Sequence, residues 1–258
     1  MLVTRLVPLV ALCGVLAAVP QAQSPAPLDD AAIEAFLLNA KVVSTRPIGK
    51  GVTGATRATL TDGVRTHDAQ IQTVDEFKPV YRTRSGEERN FRDSWRFNVA
   101  AYRIDRMLGL DLVPVSVQRR WRLGEAAFTW WVDDVQMDEE TRRKNDTQPP
   151  DASRWNKQML AIRLFDQLID NVDRNQGNIL ITNSWRLWAI DHTRAFRYSK
   201  TPRKPANVTP LDPAVLERLK ALEFSSLKKE LSRYLTDDDL RNLLARRDAI
   251  LRMLLVSA

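Results

Sequence analysis

Cysteine is all but missing from this chain: Cys13 is the single one among 258 residues. Without a second thiol there is no disulfide framework. The histidines number two, His67 and His192, so the Cys/His ligand set of a structural zinc site is also lacking. Beyond the first two dozen residues no apolar run reaches the length of about 20 needed to span a bilayer. No G-x-S-x-G string offers a hydrolase nucleophile elbow, and no internal repeat is found. The formal charge of +7 comes from arginines scattered along the chain rather than gathered in one run. Such an excess suits anionic ligands, nucleotides included, and does not indicate nucleic acid.

What is present begins with a leader. Arg5 gives a short basic start, Leu6 to Val19 is almost wholly apolar, and polar character returns at Pro20 to Ser24. Residues 1–22 are therefore expected to be a signal peptide and the protein to be exported, periplasmic or secreted. Cutting there removes one arginine, no acid and the only cysteine, leaving +6 on about 236 residues. That length, with seven tryptophans, suffices for one large domain or two packed lobes.

Residues 23–40 read as a linker with a short helix from Asp29 to Ala40. Val42 to Leu60 reads as two strands around Gly49-Lys50-Gly51-Val52-Thr53-Gly54, and His67 to Val74 as a third. A glycine-rich turn lets backbone amides approach phosphate oxygens, although a plain hairpin turn is the commoner explanation. Phe91 to Leu108 has helical spacing through Phe97, Ala101, Ile104 and Leu108, and the arginines from Arg82 to Arg106 read as a solvated face, with substrate docking as the minority alternative. Val113 to Val117 and Ala127 to Val132 read as strands, and Asp133 to Pro150 as a connection without apolar period. From Ala152 onward the pattern is helical, with starts at Asp212-Pro213 and at Thr236 with Asp239.

One interruption of that helical half carries the chemistry. Asp173-Arg174-Asn175-Gln176-Gly177-Asn178 is followed by two short strands, Ile179 to Thr182 and Trp185 to Ile190, and then by Asp191. A hairpin brings its ends together, so Asn178 and Asp191 are expected side by side with Asp173 in the preceding loop. An amide oxygen and two carboxylates suit a hard cation such as Mg2+ that carries phosphates. Base Asp, metal Asn and metal Asp are the parts of a phosphoryl-transfer site. Taken alone, a D-x-x-x-x-N string is an ordinary turn sequence. The apolar lead-in from Met159 to Phe165 and the placement of Asp191 make the combination specific.

Leu164 to Asn178, together with Asp191-His192-Thr193-Arg194-Ala195-Phe196, resembles the catalytic segment of the phosphoinositide-3/4-kinase-like superfamily, which includes secretory-pathway kinases. The likeness spans roughly residues 42 to 200 and is nearest to bacterial exported members. It implies an α+β, two-lobed kinase-like fold, with a β-rich lobe over residues 41–135 and a mainly helical lobe over 136–258. It also implies an ATP-dependent phosphotransferase using Mg2+ or Mn2+, with a hydroxyl on a protein or glycan as acceptor. Asp173 would be the base, beside Arg174, and Asn178 and Asp191 would hold the metal. Gly49, Lys50, Gly51, Thr53 and Gly54 would cover the triphosphate, and Trp131, Val132 and Asp133 would border the adenine. His192 would support Asp191, and Asp166 and Asp170 would brace the loop.

Three departures from the family pattern stand in the sequence. Asn175 occupies the place of the usual loop histidine. Gln72 and Asn98 occupy the expected positions of the nucleotide-binding lysine and its glutamate partner. A charged hydrogen bond contributes about 1.5–3 kcal/mol against about 1 for a neutral one. Lys50 or Lys78 could supply the missing charge from another direction. Three readings therefore stay open: an exported kinase, a kinase-fold pseudoenzyme that binds nucleotide or a partner, and a basic binding protein whose acidic loop only caps turns.

Overall fold

A computed structural model describes residues 28–49, 54–83, 86–209 and 212–256. The expected leader, residues 1–22, and Lys50, Gly51 and Thr53 of the expected glycine-rich turn lie outside the described residues. The chain is α+β, with three antiparallel β-sheets and seven α-helices among the described residues.

Helix α1 (Asp30–Asn39) opens on Asp29, whose Oδ1 accepts the Ala32 N–H at 2.8 Å and so satisfies one of the free amides of the first turn. Strands β1 (Lys41–Pro47), β2 (Thr56–Thr61) and β3 (Thr66–Gln72) follow as a meander. With β6 (Ser116–Trp121) and β7 (Gly124–Trp130) they form a five-stranded sheet in the order β1-β2-β3-β7-β6. Alternation assigns the two faces. Ala58, Leu60, Ala69, Ile71 and Phe128 share one buried cluster with Phe36 and Leu37 of α1. Arg57, Thr59, Asp68, Gln70 and Gln72 point the other way, to the face where Ala127 meets Trp95 and Val99.

Val99 belongs to α2 (Arg96–Leu108), which buries Phe97, Ala101, Ile104 and Leu108 along one stripe. The helix stops at Gly109, which has φ 62° and lies so close to Arg218 that a Cβ would fall 2.5 Å from its Nη1. Asp105 of α2 is fully buried and accepts the Leu112 N–H through both oxygens, at 3.0 and 3.2 Å.

The structure departs from the sequence reading just before this helix. Residues 91–94 are strand rather than helix: β4 (Asp75–Thr83) and β5 (Gly86–Ser94) pair as a separate hairpin, Asp75 opposite Ser94 and Thr83 opposite Gly86. The Arg82–Arg106 stretch is therefore not one solvated helical face. Asp133 to Pro150 is not plain connection either, since it contains β8 (Val135–Asp138) and α3 (Glu139–Lys144). Asp138 caps α3 by accepting the Thr141 N–H at 2.8 Å.

The second half begins with α4 (Ala152–Leu168), capped by Asp151. Strands β9 (Ile179–Thr182) and β10 (Leu187–Ala189) form a hairpin that β8 joins, giving the order β10-β9-β8. Three helices close the chain: α5 (Pro213–Lys220), α6 (Phe224–Leu231) and α7 (Asp237–Val256). Thr236 and Asp239 cap the last reciprocally, Asp239 N–H to Thr236 Oγ1 at 3.2 Å and Thr236 N–H to Asp239 Oδ2 at 3.0 Å. One hydrophobic cluster runs from the five-stranded sheet through α2 and α4 to α7. Phe97 and Phe196, with ring centres 5.4 Å apart, tie α2 to the segment after β10.

Burial pushes the Asp105 carboxyl up to about 6, and the neighbouring Arg106 only partly offsets it. An unfolded aspartate titrates near 4. Folding therefore takes up a proton between those values, and this group's stabilisation is greatest below pH 4 and is lost as pH rises through 6. Urea unfolding of wild type and Asp105→Asn across pH 4 to 7 is expected to show wild type losing stability relative to the variant. Parallel profiles would contradict the assignment.

Candidate active site

The acidic loop is anchored at both ends by its own side chains. Asn171 Nδ2 donates to Asp166 Oδ1 at 3.0 Å, and Asn171 Oδ1 accepts the Asp173 N–H at 3.2 Å. On the far side, Ile179 faces Ala189 in the hairpin register, and the Ile190 N–H donates to Asn178 O at 3.0 Å. Asn178 and Asp191 thus leave the same end of the hairpin from neighbouring strands. Asp191 has φ 56°, a left-handed conformation that is costly for a residue with a Cβ. Thr193 Oγ1 donates to Asp191 Oδ1 at 3.1 Å.

Arg174 holds this arrangement together from behind. Its Nε lies 3.0 Å from Asp166 Oδ2, and Nη1 donates to the carbonyls of Ile190 at 2.6 Å and Asn178 at 3.1 Å. Nη2 lies 2.8 Å from His192 Nε2. A guanidinium has no lone pair, so His192 must accept through an unprotonated Nε2. Burial and the adjacent Arg174 hold the His192 pKa well below its usual value, in keeping with a neutral ring. Arg174 is therefore turned to the backbone beneath Asn178 and Asp191, where it acts as a positioning residue. Asp166 is its buried counter-charge, and Asp170 pairs instead with Arg203 at 2.5 Å.

Asp173 is open to solvent, yet enough protein surrounds its carboxyl to raise its pKa. Arg194 and Arg174 pull the value down, while Asp191 and Glu88 push it up. The same field reaches β5: Asp93 is raised by burial, opposed by the Thr193 hydroxyl and Arg194, and raised further by Asp191 and Glu76. Arg194 donates to Glu88 at 2.6 and 2.8 Å and lies 4.2 Å above the Phe91 ring. Arg197 also reaches Glu88, at 2.6 Å. The β4–β5 hairpin is thus bound to the segment that follows Asp191. Glu88, Asp93 and Arg194 were missed by sequence reasoning, which treated the first two as part of a solvated face. The turn dipeptide Ser85-Gly86 was the available signal.

The remaining expected residues are placed as follows. Gln72 is buried, and its Oε1 accepts the N–H groups of Thr73 at 2.9 Å and Val74 at 3.1 Å. Asn98 Oδ1 accepts the His192 N–H at 2.7 Å, so α2 grips the Asp191 segment directly. Gly49 and Gly54 flank the turn, Gly54 with φ 65°, and a Cβ at either would meet nothing within 4 Å. The Trp131 ring lies 4.0 Å under the Arg57 guanidinium, and the Trp131 backbone N–H donates to Asp68 O at 3.1 Å. Val132 is half-buried, and Asp133 Oδ2 lies 2.8 Å from His67 Nε2. Lys78, on β4, bonds Glu76 Oε2 at 2.6 Å and lies within electrostatic reach of Asp93.

No family model matches the chain, and no characterised protein matches it in sequence. Solved structures do match in fold. The Golgi casein kinase with Mn/ADP bound aligns at a TM-score of 0.60 and 13% identity, over 88% of this chain and 75% of that one. The hydra Fam20 structure with sugar aligns at 0.61 and 16%, covering 85% of this chain and 87% of that one. The Helicobacter pylori proinflammatory kinase CtkA aligns at 0.57 and 10%, covering 86% and 98%. The chain has a kinase-like fold.

Arg174→Ala would leave the buried Asp166 without its counter-charge, its remaining side-chain partner being the Asn171 amide, a loss of about 3–5 kcal/mol. Urea unfolding of the purified variant is expected to register a drop of that order. A change under about 1 kcal/mol would show that the guanidinium does not organise the loop.

Proposed function

We propose that the protein is an exported kinase-like phosphotransferase that moves the terminal phosphoryl group of ATP to a hydroxyl on a protein or glycan. The observation that carries this reading is the convergence of Asn178 and Asp191 at one end of the β9–β10 hairpin, within the electrostatic field that also contains Asp173. The donor set is all oxygen, which fits Mg2+ or Mn2+ and disfavours softer ions. The bound ion would neutralise charge on the phosphates. Support for nucleotide and metal comes from the Mn/ADP-bound relative, and for an exported setting from the leader and the Golgi enzyme. The motif between residues 164 and 196 supports placement in the phosphoinositide-kinase-like superfamily.

The residues would divide the work in this way. Asp173 accepts the proton of the attacking hydroxyl as the new P–O bond forms and the bond to ADP breaks; its raised pKa brings it nearer to a working base. Asn178 and Asp191 would hold the metal, and Arg174 and Asn98 keep the backbone at those two residues in position. Gly49, Lys50, Gly51, Thr53 and Gly54 would cover the phosphate tail, and Trp131, Val132 and Asp133 would border the base. Lys78, on the β4–β5 hairpin and within electrostatic reach of Asp93, would supply the cation absent at Gln72 from β4 instead of from β3.

A second reading, a pseudoenzyme that binds nucleotide without transfer, is favoured by Gln72 and Asn98. The two readings separate on one assay. Transfer of labelled γ-phosphate to a mixed protein or glycan acceptor is expected for wild type with Mn2+. Asp173→Ala should lower it by about 10²–10⁴-fold, with Mn2+/ADP binding retained. Absence of transfer alongside intact binding would favour the pseudoenzyme. Lys78→Ala is expected to lower kcat/KM by about tenfold or more, and an unchanged value would remove Lys78 from the phosphate site.

A further inference from the structure

The end of β5 carries a carboxylate with one oxygen unaccounted for. Asp93 is 7% exposed, and its Oδ1 has no hydrogen-bond partner among the described residues. A buried acid in that state is strongly unfavourable unless something else meets it. The Ser94 N–H donates to Thr193 O at 2.9 Å, which lays this strand end against residues 191–193. The Thr193 hydroxyl lies between two acids: it donates to Asp191 Oδ1 at 3.1 Å and also interacts with Asp93. One hydroxyl has one proton and cannot serve both at once. Of the nearby cations, Lys78 pairs with Glu76 at 2.6 Å and Arg194 Nη2 with Glu88 at 2.6 Å, while the buried Arg194 Nε has no hydrogen-bond partner among the described residues.

We propose that Asp93 is a further oxygen ligand of the divalent cation held by Asn178 and Asp191, so that the β4–β5 hairpin contributes directly to the metal site. The inference rests on the phosphotransferase reading and deepens it. Two carboxylates balance a doubly charged ion, and the Asn178 amide completes a hard oxygen set. Among the described residues no group of three His, Cys, Asp or Glu side chains could hold a metal. That agrees with a site of two acids and an amide that draws its other ligands from phosphate and water. The competing structural role for Asp93 is a permanently protonated acid bonded to Thr193.

The isosteric Asp93→Asn separates these roles, because it mimics the protonated acid and cannot act as an anionic ligand. Thermal unfolding of wild type and variant is measured in EDTA and again with Mn2+ and ADP, alongside an EPR titration of free Mn2+. In EDTA the variant should melt above wild type, since the orphaned charge is gone. With Mn2+ and ADP its upward shift should fall below half that of wild type, and its Mn2+ affinity should drop at least about tenfold. Equal shifts and equal affinities would overturn the role of Asp93 while leaving the phosphotransferase reading intact. A wild type that ignores Mn2+ and ADP would overturn both. If Asp93→Asn does not fold, Asp93→Ser is titrated by EPR, with the same loss expected and the same equality contradicting it.

Discussion

The fork of Arg174 is the constraint on which the rest of the site depends. Its five donors fall on Asp166, on the carbonyls beside both proposed metal ligands, and on His192. Each of those carbonyls precedes or belongs to a residue whose side chain must point forward, so one guanidinium sets the spacing of Asn178 and Asp191. Lysine could not replace it, since a single ammonium cannot present that planar array. The neutral state of His192 follows from the same geometry. So does the tolerance of a left-handed Asp191, which is held from below by Arg174 and from above by Asn98.

A second theme is the β4–β5 hairpin, which stands apart from the main sheet and yet is tied to the segment after Asp191. Glu88 meets Arg194 and Arg197, and Arg92 meets the carbonyl of Phe196 and both oxygens of Asp239. These charged contacts join the sheet-bearing half of the chain to the helical half across the mouth of the site. On the proposed reading they would let a protein with glutamine at the end of β3 still bring a lysine and an acid towards the phosphates. In this account the charges lie on an added strand pair.

How far the sequence disclosed this depends on the kind of signal. The helix starts at Asp29, Asp212 and Thr236 were legible because capping is local chemistry, written within three or four residues. The β9–β10 hairpin was legible because alternating apolar residues bracket a turn, and its ends follow from geometry. The hairpin at 75–94 was not. Its charged outer residues imitate a solvated helix, and the spacing of Phe91 to Leu108 carried the helical phase five residues too far upstream. β8 and α3 were hidden for a related reason: β8 gains its partner from β9, more than forty residues away, and α3 is a six-residue helix with little to bury. The role of Arg174 was invisible because the contacts that set the spacing of Asn178 and Asp191 are to backbone carbonyls, which every sequence possesses.

The claim at the centre is that Asn178 and Asp191 share one cation carrying a nucleotide's phosphates. A crystal of the mature chain grown with Mn2+ and ADP, with data collected at the manganese absorption edge, tests it most directly. The account predicts an anomalous peak about 2.0–2.6 Å from the Asn178 amide oxygen and an Asp191 carboxylate oxygen, with phosphate oxygens completing its shell. A peak elsewhere, or ordered ADP with no metal between those two side chains, would contradict it.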